Sequence, residues 1–364
     1  MVNVYGKNLS KREFFKFFGD TTQYASATPV VLDSGKSTNV RAIYVNTGSG
    51  LEYIVLPGRA IDIANASYKG MSLAWISKTG IVNPKYYESE GINWLRTFFG
   101  GLLTTCGLSN MGPPCVEDGK PFGLHGRISN TEAYDISINN DWIENELNLS
   151  VSGKVKESVV FGENLIMRRT ISSLAGSSKI TIKTSVENIG FEPQPLMILL
   201  HVNFGFPIVS PHSEFYGPVK KIIPRDNIAS QNNGIELYSI FHDPTPLYKE
   251  KVFFLELNAE ENGDCEILIY NKKLNVGVYE KFNIKELPFF TMWKQMGEND
   301  YVVGLEPGNA YPLGRNKTRE RKELTLMQSG ELKNFNLELG VLDGKEEIEN
   351  KKRKIVDINN RNKQ

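Results

Sequence analysis

Glu306 closes the apolar run Tyr301-Val-Val-Gly304 and abuts the turn Pro307-Gly308. Proline fixes its own φ and restricts the residue before it, so a carboxylate at this place is held rather than free to swing. A held carboxylate suits general-base chemistry, for which geometry has to be right before pKa matters. The other reading is a carboxylate that does no more than cap a turn.

A base needs an acid to work against, and the four histidines are the candidates. His201 follows the apolar run Pro195–Leu200, and strand alternation puts it on one face with Asn203. Two polar side chains sharing a face at the end of such a run fit a ligand-facing pair; a hydrogen-bonded core histidine fits equally. His125 lies in Gly123-Leu-His-Gly-Arg127, where flanking glycines let the backbone approach a ligand and Arg127 offers a planar fork of donors. A turn histidine beside a solvated arginine is the plainer reading of that segment. His212 and His242 sit in proline-containing loops and read as structural.

Trp293 and Lys294, in the strand ahead of Glu306, and Arg59, after Pro57-Gly58, complete a set that fits a sugar. An indole matches its CH faces, and forked donors and carboxylates match its hydroxyls. Trp293 fits a core position as well, and Arg59 fits a surface pair with Asp62. Other chemistries lack their signatures. No two histidines stand four apart or at any other metal-ligand spacing, so no metal is expected. Neither dinucleotide- nor phosphate-binding glycine motifs occur, and no G-x-S-x-G elbow, so no cofactor is expected either.

The elements that must position these residues read as strands. Val40–Val45, Glu52–Leu56, Ala133–Ile138, Glu146–Ser152, Leu165–Ile171, Lys179–Val186, Leu196–His201, Val252–Leu257, Glu266–Tyr270 and Leu274–Tyr279 follow one another at short spacing. Turn signals such as Asp118-Gly and Asn233-Gly separate them. No long helices alternate with them, which argues against an α/β architecture. The expected fold is all-β, a large antiparallel sandwich spanning 28–343. Before it, residues 1–27 carry a short helix begun by the capping box Ser10-Lys-Arg-Glu13. After it, the Lys-, Glu- and Asn-rich residues 344–364 form a charged tail or a helix that begins near Lys345 and frays.

Composition narrows the partners. The 364 residues are 40% hydrophobic and 23% charged, enough for a large core in a soluble chain. Lys+Arg and Asp+Glu both number 42, so no net field draws the chain to nucleic acid or an anionic membrane. No apolar run reaches the roughly 18 residues of a spanning helix. Three cysteines and an N-terminus without an apolar leader region point to the cytoplasm. Oligomeric state is not legible.

Five segments taken in order carry a resemblance. Gly58-Arg-Ala-Ile-Asp62, Gly100-Gly-Leu-Leu-Thr104, Leu124-His-Gly-Arg127, His201-Val-Asn203 and Gly304-Leu-Glu-Pro307 together resemble the galactose mutarotase (aldose 1-epimerase) superfamily, in an epimerase-like branch of it, over residues 40 to 340. The resemblance implies a mutarotase-like supersandwich in which His125 binds sugar, His201 protonates the ring oxygen and Glu306 is the base. It further implies that α and β anomers interconvert by ring opening, rotation about C1–C2 and reclosure, with a charged histidine near an ionised carboxylate. The segment around His201 departs from the usual His-x-Tyr-Phe-Asn, and the acidic residue that grips sugar hydroxyls elsewhere is not assigned in this sequence. The expected ligand is therefore a small sugar, neutral, acidic or phosphorylated. A sugar-binding sandwich without catalysis is the main rival, and it does not need His201 and Glu306 to face each other across a pocket. A polysaccharide lyase, which calls for an extended groove and often a helical domain, is the second.

Overall fold

The computed structural model describes residues 1–361. Two antiparallel sheets dominate it. The larger one runs, edge to edge, through Val219–Pro224, Lys251–Leu257, Phe289–Met296, Tyr301–Gly308, Gln194–Gly205, Leu103–Leu108, Asp62–Tyr68, Leu51–Leu56, Val40–Asn46 and Ser26–Leu32. The smaller runs through Tyr134–Ile143, Glu146–Ser158, Asn164–Leu174, Lys179–Asn188, Leu332–Asp343, Val276–Asn283, Asp264–Asn271 and Ser213–Tyr216. The chain is thus the all-β antiparallel sandwich that its strand spacing predicts.

Alternation explains which faces meet. Along Asn164–Leu174 every second side chain is buried, because only one face of that strand meets the core. In Gln194–Gly205 everything beyond the first two residues is buried. Its even-numbered side chains Ile198, Leu200, Val202 and Phe204 enter the core between the sheets. Its odd-numbered ones, His201 among them, point to the other face, which loops of residues 75–127 cover.

Register then aligns the polar side chains on that outer face. Val202 pairs with Leu305 and Asn203 with Gly304, so one step back His201 stands opposite Glu306. Thr291 pairs with Glu306 on the far side, and Trp293 with Gly304.

The N-terminal helix is a single turn, Lys11–Phe14, with both hydrogen bonds of the Ser10–Glu13 capping box in place. Of Phe14, Phe15, Phe17 and Phe18 only Phe14 is buried, edge-on to Trp142 with ring centroids 5.3 Å apart. The C-terminal helix does begin at Lys345 and runs to Arg361. It seats Ile348 and Ile355 on Leu268, Tyr270 and Tyr279 of the smaller sheet's outer face. Lys351 and Lys354 both bond Glu266 beneath it. Residues 362–364 of the expected charged segment lie outside the described residues. Among the described residues no helix is long and apolar enough to cross a membrane.

Candidate functional site

A cavity of about 300 Å³ opens on the outer face of the larger sheet, with His201, Glu306, Thr291 and Trp293 on the sheet side and His125, Trp94, Phe98 and Leu124 on the loop side. His201 Nε2 lies 3.2 Å from Glu306 Oε1, and both side chains are almost wholly buried. Gly304 makes their contact possible. A Cβ there would come within 2.4 Å of Glu306 Oε1 and 3.2 Å of both His201 Cε1 and Trp293 Cβ.

Aromatic rings form the wall. Trp94 stacks on Phe98 at 4.5 Å between centroids and tilts against His125 at 4.8 Å. Trp293 stands edge-on to His201 at 5.4 Å and to Trp75 at 5.8 Å. The indole nitrogens are tied elsewhere: Trp94 Nε1 donates to Ser129 Oγ (2.9 Å) and Trp293 Nε1 to Glu250 Oε2 (2.7 Å). Arg225 Nη2 reaches the other oxygen of Glu250 at 3.0 Å, and its Nε reaches Asp226 at 2.8 Å.

His125 sits at φ 56°, a left-handed conformation that costs a non-glycine residue of order 1–3 kcal/mol. The surrounding backbone enforces it. His125 N–H donates to Gly112 O and its carbonyl accepts from Gly107 N–H. A Cβ on Gly126 would meet Gly107 O at 2.3 Å and Asn110 O at 2.6 Å, so only glycine can follow. Glu157 secures the same loop by accepting from the N–H groups of Leu108 and Ser109, both at 3.1 Å. His125 Nδ1 accepts the Gly112 N–H (3.3 Å), which leaves Nε2 as the N–H of the neutral ring.

Burial sets the charge states. It pushes His125 down to about 4. It pushes His201 down to about 3, with the nearby His125 adding to the effect and Asn203 opposing it. It pushes Glu306 well above the usual carboxylate range, helped by the charge of Glu250 and opposed by Arg225. Desolvation therefore favours a carboxyl beside a neutral imidazole over the expected imidazolium–carboxylate pair. Nor do the two groups face each other across the cavity, since they are cross-strand neighbours on one side of it.

Four of the expected ligand contacts lie elsewhere. Arg59 is fully buried and spends its fork on the carbonyls of Ser129, Val82 (3.0 Å) and Thr97 (2.9 Å). It does not pair with Asp62, which instead binds Arg169 at 2.7 Å. Arg127 is exposed, just before the 3-10 turn Ile128–Asn130. Asn203 shares the face of His201 but is sealed beneath the cavity, donating to the carbonyls of Gly101 and His201, both at 3.0 Å. Lys294 follows Trp293 directly and so points through the opposite face. There its ammonium bonds the carbonyls of Leu237 (3.0 Å), Tyr238 (3.2 Å) and Ile240, and burial, then Lys251, lowers it to about 7. His125, His201, Trp293 and Glu306 are the expected residues that share the cavity.

Phe98, Arg225, Glu250 and Thr291 were not foreseen. Among the described residues the buried Thr291 hydroxyl and His201 Nδ1 have no hydrogen-bond partner, and Glu306 Oε1 has none beyond its 3.2 Å approach to His201 Nε2. Among the described residues no three His, Cys, Asp or Glu side chains converge as metal ligands would.

Residues 37–341 match a sequence family described as a domain of unknown function, DUF4432. No curated protein matches the chain by sequence. A presumed aldose 1-epimerase from Klebsiella pneumoniae superposes with a TM-score of 0.84 at 25% identity, covering 91% of this chain and 87% of that one. A galactose mutarotase-like protein from Clostridium acetobutylicum (TM-score 0.60, 15% identity, 88% and 99% covered) shares the fold. So does a galactose 1-epimerase from Lactobacillus acidophilus (TM-score 0.60, 11% identity, 88% and 100% covered). The fold is galactose mutarotase-like.

Proposed function

The chain belongs to the DUF4432 family, and we propose that it is an aldose 1-epimerase-like enzyme that interconverts the α and β anomers of a sugar. The observation that carries this reading is the His201–Glu306 contact at 3.2 Å inside an aromatic-walled cavity. The names of its structural neighbours support the same class.

The anomeric hydroxyl and the ring oxygen hang on one carbon, so two groups in contact can reach both at once. In the ionised arrangement Glu306 takes the proton of the anomeric hydroxyl and His201 gives one to the ring oxygen. In the neutral arrangement, which burial favours in the empty cavity, His201 takes and Glu306 gives. Either way the C1–O5 bond breaks as the C1–O1 carbonyl forms, and the aldehyde turns about C1–C2. Ring closure on its other face then returns both protons. No net proton, electron or cofactor is consumed. His125 Nε2–H and the Trp293 ring hold the sugar, and Asn203 fixes the His201 backbone from beneath by donating to its carbonyl. The three free cysteines fit a proposed cytoplasmic setting.

Exchange NMR between anomers, run across neutral, acidic and phosphorylated sugars, tests the reading. Acceleration of at least one sugar is expected. Uncatalysed rates for all of them, with binding retained, would leave a sugar-binding protein without catalysis.

A further inference from the structure

We propose that the cavity is built for an uncharged sugar that lacks one or more of the usual ring hydroxyls, a deoxy sugar with an open anomeric position. This rests on the reading of the site as a sugar site. It follows from where the polar atoms are and which are already committed.

Among the described residues, six of the seventeen lining the cavity are polar or charged. Two of these, Arg225 and Glu250, are spent on each other and on neighbours: one Glu250 oxygen takes Arg225 and the other takes the Trp293 indole N–H. Arg225 also bonds Asp226, so the cavity's guanidinium is balanced by two carboxylates. Nothing there is left to neutralise an acidic or phosphorylated sugar. The arginines that leave an acidic or phosphorylated sugar open in the sequence, Arg59, Arg96, Arg127 and Arg315, do not line the cavity.

The remaining four polar side chains, His125, His201, Glu306 and Thr291, form one cluster. Among the described residues three of them carry buried atoms with no hydrogen-bond partner, Thr291 Oγ1, His201 Nδ1 and Glu306 Oε1, the last of which faces His201 Nε2 at 3.2 Å. That cluster suffices for the C1–O5 edge and one neighbouring group. The other walls are Ile92, Leu95, Pro113, Leu124, Val252 and Pro312. The Trp94 and Trp293 rings beside them have their N–H groups already bonded, to Ser129 and to Glu250.

A fully hydroxylated ring would press hydroxyls against these walls without partners. An apolar wall rejects an extra hydroxyl only modestly, by up to about a hundredfold. The preference should therefore be graded, not absolute.

The experiment compares matched pairs on the wild-type protein: 2-deoxy-D-ribose with D-ribose, 2-deoxy-D-glucose with D-glucose, and 6-deoxy-D-galactose with D-galactose. Anomer exchange by NMR gives kcat/KM, and titration calorimetry gives Kd. At least one deoxy member should exceed its parent by about ten- to a hundredfold in kcat/KM. Parents equal to or better than their deoxy partners in every pair would overturn the proposal while leaving anomer exchange standing. If no sugar is accelerated, catalysis fails but the calorimetry still decides. Tighter binding of a deoxy member supports the inference, and equal or tighter binding of every parent overturns it.

Discussion

His201 and Glu306 touch because their strands pair in a register that sets them directly opposite one another, Nε2 to Oε1 at 3.2 Å. Two ionisable groups this close, both almost without solvent, titrate as one unit that holds or releases a shared proton. The site thus has an acid and a base in either tautomer, and neither needs to be charged before a sugar arrives.

Removing either partner should abolish the exchange of that proton. Glu306→Gln and His201→Ala are each expected to slow anomer exchange by about a hundredfold or more. Because the two act as a unit, the double variant should fall little further than either single one. Exchange NMR on all three checks this, and near-wild-type rates in both single variants would remove the catalytic assignment.

Gly304→Ala tests how closely the pair is positioned. The added methyl would stand 2.4 Å from Glu306 Oε1, and the carboxylate end is the part able to move. A displacement of about 1 Å costs around a hundredfold in rate when geometry governs catalysis. The variant should therefore stay folded, with a circular dichroism melt near that of the wild type, and lose kcat.

Arg59 should behave in the opposite way. Its guanidinium satisfies the buried carbonyls of Ser129, Val82 and Thr97. Arg59→Met would leave them unpaired and is expected to destabilise the fold by about 2–4 kcal/mol in denaturant titration. KM per folded molecule should hold steady, since the residue does not line the cavity.

That contrast shows what the sequence could and could not reveal. The strand carrying His201 and the one carrying Glu306 are legible because long apolar runs end in polar residues, and period-two alternation puts His201 and Asn203 on one face. The same rule separates Trp293 from Lys294, whose adjacency in sequence guarantees opposite faces of the sheet. A buried arginine that forks backbone carbonyls looks, in sequence, like any arginine after a Pro-Gly turn. The strand Asp62–Tyr68 is not legible because its Ala, Asn and Ser side chains give little strand signal. Arg225 and Glu250 meet only because the ends of two neighbouring strands come to one rim, and no local pattern joins residues 25 apart.

The last expectation concerns stability and pH. Glu306 has its folded pKa raised above the ordinary 4.5, burial first and Glu250 second. A raised carboxyl binds its proton more tightly in the native state than in the unfolded one. Between pH 4.5 and the folded pKa the unfolded chain therefore holds fewer protons, and stability falls as pH rises through that window. His201 acts in the reverse sense: lowered from 6.5 to about 3, it contributes stability that is full above 6.5 and is lost as pH falls toward 3. Glu306→Gln keeps the histidine and removes the carboxyl, so the difference between variant and wild type reads the carboxyl together with its coupling to His201. The variant should gain on the wild type as pH climbs above 4.5, be the more stable protein at pH 8, and lose that advantage below pH 4.5. Chemical unfolding of both proteins from pH 4 to 9 measures it. A stability gap that stays constant across the range would mean that Glu306 is not held in its neutral form.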